Sequence, residues 1–142
     1  MLLVDARGVP LSIIVTAANR NDVTELAATL DAIVVPRPPV EPRRRQHLCA
    51  DAGFVGRAAH QEMLDRDYTP HVRPRGAERR QRAAGKRARR WVVEVAHSWF
   101  TRFRKLLVRY EKLHRSYEAL SMLAAAIITL RRIPVKINII YG

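Results

Sequence analysis

The chain has one cysteine, Cys49, in 142 residues. One thiol cannot close an internal disulfide, and no CxxC pair is present to hold zinc. A disulfide-built secreted domain is therefore excluded, and a reducing cytosol is the expected setting. Long apolar runs are missing as well. The longest, Leu120–Leu130, is 11 residues interrupted by Ser121 and Thr129. A membrane-spanning helix needs roughly 20. No basic-then-apolar leader opens the sequence, so export is not expected and a cytoplasmic protein is. Serine-nucleophile, phosphate-loop and dinucleotide signatures are absent, and no internal repeat is visible.

What is present is a globular composition, 48% hydrophobic, of a length that suits one domain. Acidic residues are scarce in its second half. Residues 1–72 hold 8 Lys+Arg against 9 Asp+Glu, whereas residues 73–142 hold 18 against 4. The whole excess of +13 therefore sits in the second half, mostly as arginine. A field that concentrated favours a polyanion, most often nucleic acid. Arginine forks match phosphate oxygens in pairs, which lysine does not. A basic membrane-surface helix fits less well, because the apolar residues it would need are committed to a core.

Strand and helix patterns alternate. Met1–Asp5 and Val9–Thr16 read as a β-hairpin turning at Ala6-Arg7-Gly8. Asn19–Asp22 reads as the cap of a helix, with Asp22 followed three residues later by Glu25 as a capping-box variant. Its buried face is Val23, Leu26, Ala27, Leu30, Ile33 and Val34. Pro36, Pro38, Pro39 and Pro42 end it in a stiff loop. Gln46–Ala50 reads as a buried strand that delivers Asp51 at its carboxyl end, with Gly53 permitting a sharp exit. A helix over Arg57–Asp67 and a strand over Tyr68–Val72 follow. Arg73–Gly85 is a basic loop. A long helix is expected from about Ala88 to Lys112, with Val92, Val95, Ala96, Trp99, Phe103, Leu106, Leu107 and Tyr110 as its buried stripe. A second is expected over His114–Arg132, ended by Pro134. Residues 133–142 form a tail with no assigned role. This order points to a layered α/β domain.

Two carboxylates are candidates for chemistry. Ligands of α/β sheets gather outside the carboxyl ends of strands, where Asp51 stands. A helix-capping or turn role is the simpler reading of the same spacing. Glu94 is the one acid between Arg79 and Lys105. Arg90, one turn earlier, offers a plain i,i+4 ion pair. A lone carboxylate in a phosphate-binding surface weakens binding unless it has a task, and holding a divalent cation is one. Two cations held by shared carboxylates can activate water and stabilise a leaving oxygen in phosphodiester cleavage, but two acids are too few. Asp5, the early candidate for a third, sits at the hairpin turn and reads as a turn residue. His47, His60, His71, His97 and His114 show no metal-ligand spacing, and His47 with Cys49 makes only a weak zinc pair.

The blocks LLVDARGVPLSIIVTAANRNDV, LCADAGFVG, RRWVVEVAHSWFTRFRKLLVRYEK and SYEALSMLAAAIITLRRI resemble, in order and spacing, the catalytic domain of bacterial insertion-sequence transposases of the DDE type. The resemblance covers about residues 1–132. It implies a ribonuclease-H-like three-layer α/β fold that binds two Mg²⁺ through an Asp-Asp-Glu triad. Such domains cut and join DNA at insertion-sequence ends, and a homo-oligomer on DNA is a compatible assembly. Asp51 matches the second aspartate and Glu94 the glutamate, with Arg90 as the arginine four before it. Arg102 lies near a basic position of the family. Asp5 matches a hairpin aspartate, not the catalytic one. The first catalytic aspartate belongs to a strand upstream of the hairpin. The fold is thus expected to be N-terminally truncated, and the chain to be inactive alone. DNA phosphates are expected at Arg73, Arg75, Arg79, Arg80, Arg82, Lys86, Arg87, Arg90, Arg102, Arg104 and Lys105. The alternatives are a non-enzymatic basic nucleic-acid-binding protein and a decayed, partly unfolded gene product.

Overall fold

The computed structural model describes residues 1–17, 20–41, 43–74 and 91–133. The hairpin consists of β1 (Leu2–Val4) and β2 (Pro10–Ile13), paired antiparallel. Two features close its turn. Asp5 accepts the backbone N–H groups of Arg7 and Val9 on Oδ1, both at 2.8 Å. Gly8 takes φ +83°, a conformation that side chains with a Cβ resist. Asp5 is therefore the turn residue that its spacing implied.

A 3-10 turn (Asp22–Glu25) leads into α1 (Leu26–Asp31). The cap is Asn21, whose side chain accepts from the Val23 N–H; it lies within the expected cap segment, one residue before the Asp22 of the capping-box pattern. Glu25 does not complete a capping box. It is buried and paired with Arg20 at 2.8 Å. The helix stops at Asp31, so Val34 falls beyond it and is 81% exposed instead of lying in the core.

β3 (Gln46–Ala50) and β4 (Tyr68–Val72) form a parallel ladder, Gln46 opposite Tyr68 through Ala50 opposite Val72. A parallel pair needs a crossover, supplied by a 3-10 turn (Ala52–Phe54) and α2 (Arg57–Leu64). Among the described residues the strands make two separate two-stranded sheets, β1–β2 and β3–β4.

The expected helix over Ala88–Lys112 is not continuous. Ala88–Arg90 lie outside the described residues. From there α3 spans Trp91–Phe100, the chain turns at Thr101–Phe103, and a short α4 covers Arg104–Leu107. At the break the hydrogen bonds tighten to three-residue spacing: Arg102 N–H donates to Trp99 O and Phe103 N–H to Phe100 O. Phe103 is extended, which lets it and Leu106 drop onto Phe100. The expected stripe ends there, with Leu107 and Tyr110 exposed. The last helix, α5 (His114–Arg132), has the bounds read from its pattern. No described helix is long and apolar enough to cross a membrane.

Two cores lie on opposite sides of the strands. One gathers Leu26 and Leu30 of α1, Leu48 of β3, Phe54, Ala59 and Met63 of α2, and Tyr68 of β4, with Leu3 packed against it. The other gathers Phe100, Ala124 and Ile128, with Leu2, Ile13, Trp99, Phe103 and Leu106 around it. Successive strand residues face opposite sides, so Leu2 and Leu3 enter different cores. Ser12 and Ile13 divide likewise: the Ser12 hydroxyl donates to Thr29 O of α1 at 2.6 Å, and Ile13 joins the α5 side. The result is helix, strand and helix layers. Across the first layer Arg66 forks onto both Asp31 oxygens at 2.7 and 2.8 Å and reaches Glu62 at 2.6 Å. This pairing holds the Asp31 carboxyl below the usual carboxylate range.

Candidate functional site

Asp51 stands directly after β3, exposed, in extended backbone. One oxygen, Oδ1, accepts the Gly53 N–H at 2.8 Å and so caps the 3-10 turn. The capping role is therefore real. It leaves the rest of an exposed carboxylate at the carboxyl end of a parallel strand. A Cβ on Gly53 would meet Asp51 Oδ1 at 3.0 Å. A side chain at this position would push the Asp51 carboxylate aside and so disturb its cap, with no special backbone angle involved.

Glu94 lies in the first turn of α3 and is exposed. Its carboxylate makes no hydrogen bond or ion pair among the described residues. Its expected partner Arg90 lies outside them. Helix α3 packs on β1, while Asp51 leaves β3. Among the described residues no group of three or more His, Cys, Asp or Glu is placed to hold a metal ion. Asp51 and Glu94 have no third such ligand beside them among the described residues, and neither does the weak zinc pair. His47 instead meets His71 across the β3–β4 ladder, Nδ1 to Nε2 at 2.7 Å, on the exposed face.

Of the expected phosphate contacts, Arg73, Arg102, Arg104 and Lys105 are described, and all four are exposed. Arg75, Arg79, Arg80, Arg82, Lys86, Arg87 and Arg90 lie outside the described residues. Sequence reasoning missed Arg131 and Arg132. With Trp99, Arg102, Phe103 and Ile128 they line an open pocket of about 400 Å³. The Arg132 guanidinium lies 4.0 Å over the Trp99 ring centroid, a cation–π contact. The visible signal was the Arg131-Arg132 pair closing α5.

His97 lies further along α3. It lines a second pocket of about 340 Å³ with Met1, Thr16, Phe100, Tyr117 and Ser121 among its neighbours. Burial pushes the His97 imidazole below its ordinary range, and the Met1 ammonium adds to the effect.

A family model described as "Transposase DDE domain" matches residues 1–129. The chain is 35% identical over 140 residues to a protein assigned as a transposase for insertion sequence element IS402 in Burkholderia cepacia. That match covers 92% of this chain and 63% of the relative, so the chain spans less than two thirds of the protein it resembles. No solved structure matches it.

Proposed function

Because the chain belongs to the transposase DDE-domain family, we propose that it is the greater part of a catalytic domain for DNA transposition. Residues 1–132 would form the domain and residues 133–142 a tail. The complete protein would cut and join insertion-sequence ends of nucleoid DNA in the cytoplasm. The observation that carries this reading is the exposed Asp51 carboxylate at the carboxyl end of a parallel strand. Ligands of α/β sheets are held at that end.

The donor chemistry suits a hard divalent cation such as Mg²⁺, which takes carboxylate oxygens. Asp51 and Glu94 would hold it, and both are exposed. When bound, the metal would activate water and stabilise the leaving oxygen of a phosphodiester. Two acids do not complete a two-ion site. We assign the third to an aspartate on a strand outside this sequence, the first strand of a ribonuclease-H-like sheet. The split between β1–β2 and β3–β4 supports that assignment, since one strand inserted between them would join the two ladders. The cationic side chains from Arg73 to Lys105 would grip phosphates. Without the third acid the preorganised charge is incomplete, so this chain should bind DNA and cut it poorly.

The test is cleavage of terminal-repeat DNA with Mg²⁺ by this chain and by an upstream-extended version. Cutting by the extended version, abolished in Asp51→Asn and in Glu94→Gln, is the expected result. Cutting that survives both substitutions overturns the assignment of these residues. Salt-sensitive binding with no cutting by either version, and no effect of Mg²⁺, identifies a non-enzymatic nucleic-acid-binding protein instead.

A further inference from the structure

We propose that the open pocket between the ends of α3 and α5 is a phosphodiester-binding site that holds the DNA backbone on the helix that carries Glu94, one of the candidate metal-binding acids. The proposal rests on the DNA-acting reading above and adds a site to it.

Its walls come from two elements far apart in sequence. Trp99, Arg102 and Phe103 come from the end of α3 and the turn after it, and Ile128, Arg131 and Arg132 from the last turns of α5. Three arginines from two elements thus line about 400 Å³. Arg132 is committed to the face of Trp99. Arg102 and Arg131 have no carboxylate partner among the described residues. Like charges gathered without an anion repel one another, and an anion entering between them relieves that repulsion.

The bland explanation is that Arg131 and Arg132 complement the carboxyl-terminal dipole of α5. That accounts for two side chains of one helix. It does not account for Arg102 arriving from another element, or for the aromatic wall. Guanidinium forks bind phosphate oxygens in pairs. The apolar floor of Phe103 and Ile128 belongs to a core cluster, so it stays in place and suits the sugar that flanks a phosphodiester. Trp99 is held from behind: a Cβ on Gly8 would lie 3.1 Å from its ring. The aromatic and apolar walls are therefore packed side chains, on which the exposed arginines are mounted.

The placement relative to Glu94 gives the pocket its role. Glu94 and Phe100 sit on the same helix, about 9 Å apart along its axis at the ordinary rise per residue. A strand fixed at the end of α3 would run within a few nucleotides of the acid.

The test measures binding of a short DNA duplex to the full chain by fluorescence anisotropy over a salt series. An Arg102→Gln/Arg131→Gln double variant should bind about tenfold more weakly at moderate salt. Its salt slope should fall by about 2, one for each phosphate no longer neutralised by an arginine. Arg57→Gln/Arg115→Gln removes two exposed arginines elsewhere and should change affinity less than about threefold. A second readout uses Trp91→Phe, which leaves Trp99 as the only tryptophan. Its emission should change saturably as duplex is added, and the change should vanish when Arg102 and Arg131 are also replaced. Circular dichroism checks that each variant is folded. Binding by the parent chain with equal weakening in the two double variants, or with a silent Trp99 at saturation, overturns the pocket and leaves the DNA-acting reading standing. Failure of the parent chain to bind DNA overturns both.

Discussion

The backbone of Gly8 sits against the indole of Trp99, so close that a Cβ would lie 3.1 Å from Cη2 and 3.2 Å from Cζ3. The hairpin turn and the end of α3 are therefore fitted to each other, with Arg132 of α5 stacked on the same ring. Gly8→Ala meets two penalties there, the +83° backbone angle and the close approach. It should cost about 1–3 kcal/mol in urea unfolding. Because the indole of Trp99 is involved, near-ultraviolet circular dichroism should change as well.

Asp51 has a capping role and a proposed metal role, and two substitutions separate them. Asparagine caps as well as aspartate, so Asp51→Asn should alter stability by no more than about 0.5 kcal/mol. Asp51→Ala should cost about 1 kcal/mol. Both should weaken Mg²⁺ binding, measured by calorimetry on an upstream-extended protein. Metal binding that follows the cap, abolished in the alanine variant only, would mark Asp51 as structural.

Met63 has no exposed surface and lies in the core between α1, α2 and the β3–β4 ladder. Met63→Ala should cost about 2–5 kcal/mol, through forfeited transfer energy and the cavity left behind. Leu123, 56% exposed on α5, is the control. Leu123→Ala should stay within about 0.5 kcal/mol by the same chemical denaturation.

His97 makes stability depend on pH. Its ordinary value is 6.5, and desolvation lowers it in the fold. The unfolded chain therefore takes up the proton first as the solution is acidified. This contribution is complete above pH 6.5, declines as pH falls towards the lowered value, and then levels off. The effect is modest because part of the ring remains exposed. Urea midpoints at about pH 7 and about pH 5 should differ less in His97→Gln than in the parent chain.

Much of the architecture could be read from local pattern. The hairpin, β3, β4 and α5 follow from β-branched runs, turn residues and a terminating proline, each confined to a few neighbouring residues. The break after Phe100 could not be read that way. Phe103 and Leu106 continue the helical period, and only packing against α5 decides that they reach the core by a turn. The role of Glu25 was hidden for a similar reason, since Asp22 and Glu25 satisfy the capping-box pattern while Glu25 is drawn to Arg20. At the candidate site, Asp51 was legible from a strand end followed by glycine. The arginine pocket was not, because it exists only where two helix ends meet.

Strand β1 is three residues long, and its ladder with β2 shifts between Leu3 and Val4. Adjacent leucines there enter opposite layers, Leu2 packed against the cluster that holds Phe100 and Leu3 against the one that holds Leu48. A slip of one residue would send each leucine to the wrong side. Deleting either one would loosen both helical layers together, as drawing a single rivet frees two plates.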